Sequence, residues 1–240
     1  MNVSVIIPVY NCRAYLAEAI DSVLRQTLAV TEVIVVDDGS TDGSGDVARG
    51  YGPPVRCVAI PHSGIGTARN TGVLEATGDY VAFLDADDWW EADKLQAQAR
   101  HLSASGGDAV VFGLAQQFIS PELPRDVAAG LHCPTEPLAG VSPSGMLAAR
   151  RVFAQTGLFS TSLDVGEFID WHARATEQGF ESRTVPQVVF HRRIHTSNTG
   201  VRSRGSRKDY ARLVKAALDR RRAAAEENTA PADGGADEAA

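Results

Sequence analysis

Three things are scarce in this 240-residue chain: long apolar runs, cysteine, and positive charge on its body. Apolar stretches such as Val33 to Val36 and Ala109 to Phe112 fall far short of the roughly 20 residues that span a bilayer. The first residues enter a strand-like pattern at once, with no basic stretch ahead of an apolar run, so no secretory leader is expected. Three cysteines, Cys12, Cys57 and Cys133, are odd in number and far apart. They read as reduced thiols, which fits a cytoplasmic protein better than a disulfide framework or a zinc cluster. Residues 1–199 carry 14 Lys and Arg against 23 Asp and Glu; 200–222 carry nine against two, and 223–240 none against five. An acidic body argues against a nucleic-acid partner, which would need a basic face. No G-x-x-x-x-G-K-[ST] stretch occurs, which sets aside a P-loop nucleotidase.

What is present is globular: 44% hydrophobic and 22% charged residues leave room for a real core. Val3 to Val9, Glu32 to Val36, Val55 to Ile60, Tyr80 to Leu84 and Asp108 to Leu114 read as short buried strands. Helical stripes fall between them. Asn11 is placed to cap one with Leu16, Ile20, Val23, Leu24 and Leu28 on its face; others run near Asp46 to Gly50, from Gly64 and Gly66 to about Gly78, and over Glu91 to Ser103. Repeated β-α-β units of this kind predict an α/β fold, a mostly parallel sheet flanked by helices on both faces. Further on, 116–145 reads as a loop-rich insertion, Gly145 to Phe153 as strand then helix, Val165 to Gln178 as helix and Thr184 to Arg193 as strand.

In such sheets, ligands bind beyond the carboxyl ends of the strands. There the chain places Pro8-Val-Tyr-Asn11, then Val35-Val-Asp-Asp-Gly-Ser-Thr-Asp42, then Phe83-Leu-Asp-Ala-Asp-Asp-Trp-Trp90. Gathering Asp37, Asp38, Asp85, Asp87 and Asp88 at one edge demands compensation by protonation, by Arg69 or by a divalent cation. In an extended chain, residues i and i+2 face the same way, so Asp85 and Asp87 can share one site. Such hard oxygen donors suit magnesium or manganese. The plainer reading is a solvated turn ahead of Glu91, just as Ser40 or Asp42 can serve simply as helix caps. The loop Gly64-Ile-Gly-Thr-Ala-Arg-Asn-Thr-Gly72 is not a G-x-G-x-x-G, since Arg69 stands at the third glycine, but it brings positive charge to a helix start.

These motifs in this order, with Gly166-Glu-Phe-Ile-Asp-Trp171 later, resemble the family 2 glycosyltransferases of the GT-A fold, densely over 2–115 and loosely over 143–200. The resemblance implies a nucleotide-diphospho-sugar transferase domain over 1–200, with a donor-binding half (2–115) and an acceptor or catalytic half (116–200). A nucleoside diphosphate sugar would lie on Pro8, Val9 and Tyr10, with Asp38 on base or ribose, Arg69 nearby, Asp85 and Ala86 at the ribose, and Asp87 on a Mn or Mg ion. The family inverts the anomeric centre by direct displacement onto an acceptor, here unknown, with a carboxylate as base. That base usually stands in a Gly-Glu-Asp-like motif, and here Phe168 takes the Asp position, leaving Glu167, favoured by its place after the glycine, and Asp170. His195, in a stretch similar to the family's Arg-Arg-Ile-His, would meet the metal or the diphosphate, and Arg192 or Arg193 would neutralise phosphate. Trp89, Trp90 and Trp171 are either sugar platforms or core.

Residues 201–222 make a basic amphipathic pattern, with Tyr210, Leu213, Val214, Ala217 and Leu218 on one stripe. It fits a helix folded back on the domain or a peripheral contact with an anionic membrane's inner face. The acidic, Ala-rich 223–240 reads as a disordered tail. Two rivals to an active transferase stand beside it: a binding protein of the same fold with little turnover, and a nucleotidyltransferase.

Overall fold

A computed structural model describes residues 1–104, 109–163, 165–196 and 198, together with Lys215 and Arg220. The first half of the chain runs β1 (Val3–Val9), α1 (Arg13–Leu24), β2 (Glu32–Asp37), α2 (Ser44–Arg49), β3 (Val55–Ala59), α3 (Ile65–Glu75), β4 (Tyr80–Phe83), β5 (Trp89–Trp90) and α4 (Lys94–Ala104). The second runs β6 (Ala109–Ile119), α5 (Arg125–Ala129), β7 (Leu138–Ala139), β8 (Leu147–Ala149), α6 (Arg150–Thr156), α7 (Glu167–Glu177) and β9 (Glu181–Ile194).

All strands join one sheet in the order β3-β2-β1-β4-β8-β6-β9-β5, with β7 on β6. Every residue of β1 and β2 is buried, because both sheet faces are covered. Alternate side chains serve opposite layers. Val3, Val5, Ile7 and Val9 pack with Leu16, Ala19, Ile20 and Val23 of α1 and Leu95 and Leu102 of α4. Ile6, Ile34 and Val36 pack instead with Ala68 and Val73 of α3, Val152 and Phe153 of α6, and Trp171 of α7. The expected α/β class, helices on both faces, is the one observed, and its likeness to solved structures is given below. Its parallel character is concentrated in β3-β2-β1-β4 and recurs at β6–β9. The pairs β4–β8, β6–β8, β5–β9 and β6–β7 are antiparallel. The two expected halves therefore share one sheet, because β8 inserts between β4 and β6.

Several expectations shift. Asn11 does not cap α1: it sits at φ 49 and its side-chain oxygen accepts from the Thr41 amide, tying two loops together. Asp42 takes the capping part instead, one carboxylate accepting the amides of Arg13 and Ser44 at the starts of α1 and α2. The 116–145 stretch is not all loop, since β6 continues to Ile119 and α5 and β7 follow. α4 starts at Lys94, because Trp89 and Trp90 pair first with His191 and Phe190. Most of 201–222 and all of 223–240 lie outside the described residues. Arg220, which is described, is held on α7 by Glu177 at 2.7 Å and Asp170 at 3.1 Å. Among the described residues, no helix is long and apolar enough to cross a membrane.

Candidate active site

Because β1, β2, β3 and β4 run parallel, their carboxyl ends share one edge, and a cavity of about 750 Å³ opens there. Of the residues nominated from sequence, Pro8, Val9, Tyr10, Asp38, Arg69, Asp85, Ala86, Asp87, Glu167 and His195 all line it. Asp170 does not: its carboxylate is engaged by Arg174 at 2.9 Å and by Arg220. The cavity also brings in residues distant in sequence, since Arg192 stands near the end of β9 and His195 and Asn198 follow it.

Arg69 is the bridge. It rises from α3, is buried, and donates from one terminal nitrogen to Asp85 at 2.7 Å and from the other to Glu167. A guanidinium fork can hold two carboxylates at once, which a lysine cannot do with the same geometry. Gly166, at φ 86, turns the chain into α7 and sets Glu167 in its first turn, where the helix dipole favours an acid. Phe168 points the other way, into the core against Phe112 and Trp171.

The acidic turn is a real turn, closed by the Asp88 amide on the Asp85 carbonyl at 3.1 Å, and not the extended segment that the spacing alone suggested. Its three acids meet three fates. Asp85 is neutralised by Arg69. Asp88 is buried, accepts the Arg193 amide, and has its carboxyl pushed well above the usual range by burial and then by Asp87 and Asp85. Asp87 faces His195 Nε2 at 2.9 Å and accepts from Asn198 Nδ2 at 3.1 Å. Asn198 also accepts the His195 amide at 2.6 Å, so it sets the positions of both groups; nothing in the sequence patterns singled it out.

Among the described residues, no three His, Cys, Asp or Glu groups form a metal cage. Asp87 Oδ2 and His195 Nε2, 2.9 Å apart on the cavity wall, would suit a cation that completes its shell from phosphate oxygens and water, as magnesium and manganese do. The residues present therefore fit such an ion.

The remaining nominees separate. Arg193 is a buried clamp, bonded to the Asp87 carbonyl at 3.0 Å, Ser120 and Glu18 and lying over Tyr15 and Phe118, so it is not free for phosphate. Arg192 is exposed on the cavity wall and forms no ion pair with a described residue. Trp90 and Trp171 are core, and Trp89 stacks on His191; none lines the cavity. Cys12 does line it, and burial, and then Asp87, pushes its thiol up to about 12, away from the thiolate form. His62, which the sequence reading passed over, stacks on Tyr10 and meets Asp38 at 2.9 Å.

Comparison with known proteins gives the family and the fold. A family model described as Glycosyl transferase family 2 matches residues 4–128. An uncharacterized glycosyltransferase of Bacillus subtilis, EpsJ, is 35% identical over 130 residues, half of this chain and 38% of EpsJ. Hyaluronan synthase of Pasteurella multocida is 28% identical over 227 residues, 91% of this chain but 23% of that enzyme. The chain spans between 16% and 40% of the length of the curated relatives it matches. The solved structure of S. aureus TarS 1–349 in complex with UDP-GlcNAc aligns with a TM-score of 0.66 at 20% identity, over 82% of this chain and 60% of TarS 1–349. That likeness supports the GT-A-like fold. With the sequence match covering more than half its length, this chain belongs to glycosyl transferase family 2.

Proposed function

We propose that the protein transfers a sugar from a nucleoside diphosphate sugar to an acceptor hydroxyl, with inversion at the anomeric carbon. The observation that carries this reading is the Arg69 bridge, which holds the donor-side Asp85 and the buried acid Glu167 in one cavity. The relative of known structure named above was solved with UDP-GlcNAc, which favours a uridine nucleotide as the first donor to try. Tyr10 and Asp38 take the nucleoside end, and Arg192 stands where diphosphate charge can be met.

In the step itself, the acceptor oxygen forms its bond to the anomeric carbon as the bond from that carbon to the diphosphate breaks. The acceptor proton passes to Glu167, and the bonding electron pair leaves with the diphosphate. Glu167 binds Arg69 through Oε1, and Oε2 has no hydrogen bond to any described residue. A Mn or Mg ion held by Asp87 and His195 would offset the charge on the departing diphosphate.

Phe168 packs into the core against Phe112 and Trp171, and Glu167 is the acid of that motif that lines the cavity. Thermal stabilisation by UDP, GDP, CMP and dTDP, each with and without manganese, tests the proposal. A ligand at about 100 times its dissociation constant adds roughly 2.7 kcal/mol to the folded state, a shift of several degrees. One diphosphate should give that shift with manganese, and Asp87→Ala should lose it. No shift with any of the four would overturn the donor assignment.

A further inference from the structure

We infer that Ser144 is a positioning residue of the donor site: its hydroxyl fixes the backbone of Asp85, and with it one end of the Arg69 bridge. This rests on the nucleoside diphosphate reading above. Ser144 does not line the cavity, stands 59 residues from Asp85 and belongs to none of the motifs read from the sequence.

β4 is antiparallel to β8, with Tyr80 opposite Ala149 and Ala82 opposite Leu147. Continued past Ala82, that register sets Asp85 opposite Ser144. The ladder stops short of them, since Pro143–Gly145 turns as a 3-10 helix and β4 gives way to the acidic turn. The Asp85 amide donates to Ser144 Oγ at 3.1 Å, a side chain standing in for a ladder carbonyl. A backbone amide just past a strand end needs such a partner once water is excluded. Asp85 is thus held twice: by Ser144 through its amide and by Arg69 through its carboxylate at 2.7 Å.

Ser144 is itself clamped. The carbonyls of Ser144, Gly145 and Met146 each accept from a different buried side chain: Trp90 Nε1 at 2.9 Å, Gln98 Nε2 at 2.7 Å and Lys94 Nζ at 3.1 Å. Lys94 and Gln98, one turn apart on α4, are fully buried and joined at 2.7 Å. Lys94 also lies over the Trp90 ring, 4.0 Å from its centroid. Burial pushes its pKa well below the usual range, and the two hydrogens of a neutral amine match its two acceptors. A lysine buried without a counter-charge costs stability. Here that cost secures the shape of one turn, and the turn's serine meets the donor site. Supports of this kind, one step behind the groups that touch a ligand, set how well those groups are placed.

Titration calorimetry with UDP and with GDP, each with manganese, tests this on the full chain, beside urea denaturation of the same variants. Ser144→Ala should weaken binding about ten-fold, and Ser144→Thr, which keeps the hydroxyl, should stay within about two-fold of wild type. Ser22→Ala is the matched control: Ser22 is equally buried and its Oγ accepts the Trp90 amide at 3.1 Å, but it stands outside the cavity. It should lose as much stability as Ser144→Ala and still bind as wild type does, because stability alone does not alter the affinity of the folded protein. Lys94→Met, which loosens the same turn from α4, should weaken binding as well. Wild-type affinity in Ser144→Ala or in Lys94→Met would overturn the inference. So would an equal loss of affinity in Ser22→Ala, which would make Ser144 one more packing contact, or in Ser144→Thr, which would take the hydroxyl out of the argument. A wild type that binds neither UDP nor GDP would overturn the nucleotide reading, whereas an unchanged Ser144→Ala beside a wild type that binds overturns this inference alone.

Discussion

The two sides of the sheet are built on different terms. In β3-β2-β1-β4 the strands are short and parallel, and the central pair is buried throughout. One carboxylate bolts this side together: Glu32 of β2 accepts from Ser4 of β1, from the amide and hydroxyl of Thr77 ahead of β4, and from Arg56 of β3. On the other side, β6 and β9 run for 11 and 14 residues with mixed burial, and their register shifts around Gly113. Short parallel strands deliver several loops to one edge, so this side supplies most of the cavity wall. The long pair delivers one stretch, Arg192 to Asn198, and α7 adds Glu167. The cavity forms where the two meet, and Arg69 joins them through its ion pairs with Asp85 and Glu167.

The largest effect should come from the acceptor side. Glu167→Gln should lower transfer by about 10²–10⁴-fold while donor binding survives. Asp170→Asn, whose carboxylate serves Arg174 and Arg220 outside the cavity, should leave the rate near wild type. An unchanged rate in Glu167→Gln, measured in the same assay, would remove Glu167 as the base.

Cutting the join comes next. Arg69→Met leaves Glu167 buried without its cation and should cost about 3–5 kcal/mol in urea denaturation, with Asp85 adding less because it is more exposed. A loss below about 1 kcal/mol would mean that water screens the pair.

Acid should loosen the donor side first. Burial raises the Glu32 carboxyl, but the hydrogen bonds from Thr77, Ser4 and Arg56 outweigh it and hold it at about 2, against 4.5 ordinarily. Its contribution is fully present above pH 4.5 and is lost as pH falls toward 2, in all about 3 kcal/mol. Melting curves of wild type and Glu32→Gln across that range should converge as pH falls; parallel curves would assign the acid loss to another group.

The smallest effect compares packing across the two sides. A Cβ at Gly72 would lie 2.3 Å from Ile6 Cγ2, and one at Gly113 would lie 2.3 Å from Val189 Cγ1. Each Ala substitution should cost about 1–3 kcal/mol by overpacking. Gly72→Ala should cost more, because Ile6 sits in the central strand, whereas Gly113 stands at a register shift that can yield. Equal melting temperatures would mean that the two sides are equally rigid.

The strands β1 to β4 were legible because each is a short, largely apolar run, with β1 and β2 buried on both faces, a pattern that needs no distant partner to be read. Ten of the eleven nominated site residues line the cavity, since strand ends, the loops after them and the first turns of α3 and α7 all meet at one edge. Asp170 lies outside that lining, because helical spacing gives a residue's angle around α7 but not what that angle faces. Asn198 and His62 went unread because neither belongs to a local pattern. Their partners, Asp87 and Asp38, lie 111 and 24 residues away.

The sequence by itself determined the fold class, the family and the loops that hold the chemistry, because periodicity and motif spacing are properties of neighbouring residues. Only the tertiary structure decided how the acids of the cavity share out their charge. Asp85 went to Arg69, Asp88 to burial and a backbone amide, and Asp87 to His195 and Asn198. Charge balance in a closed site depends on distances across the fold, and folding brings Arg69 and Glu167 together across 98 residues of chain.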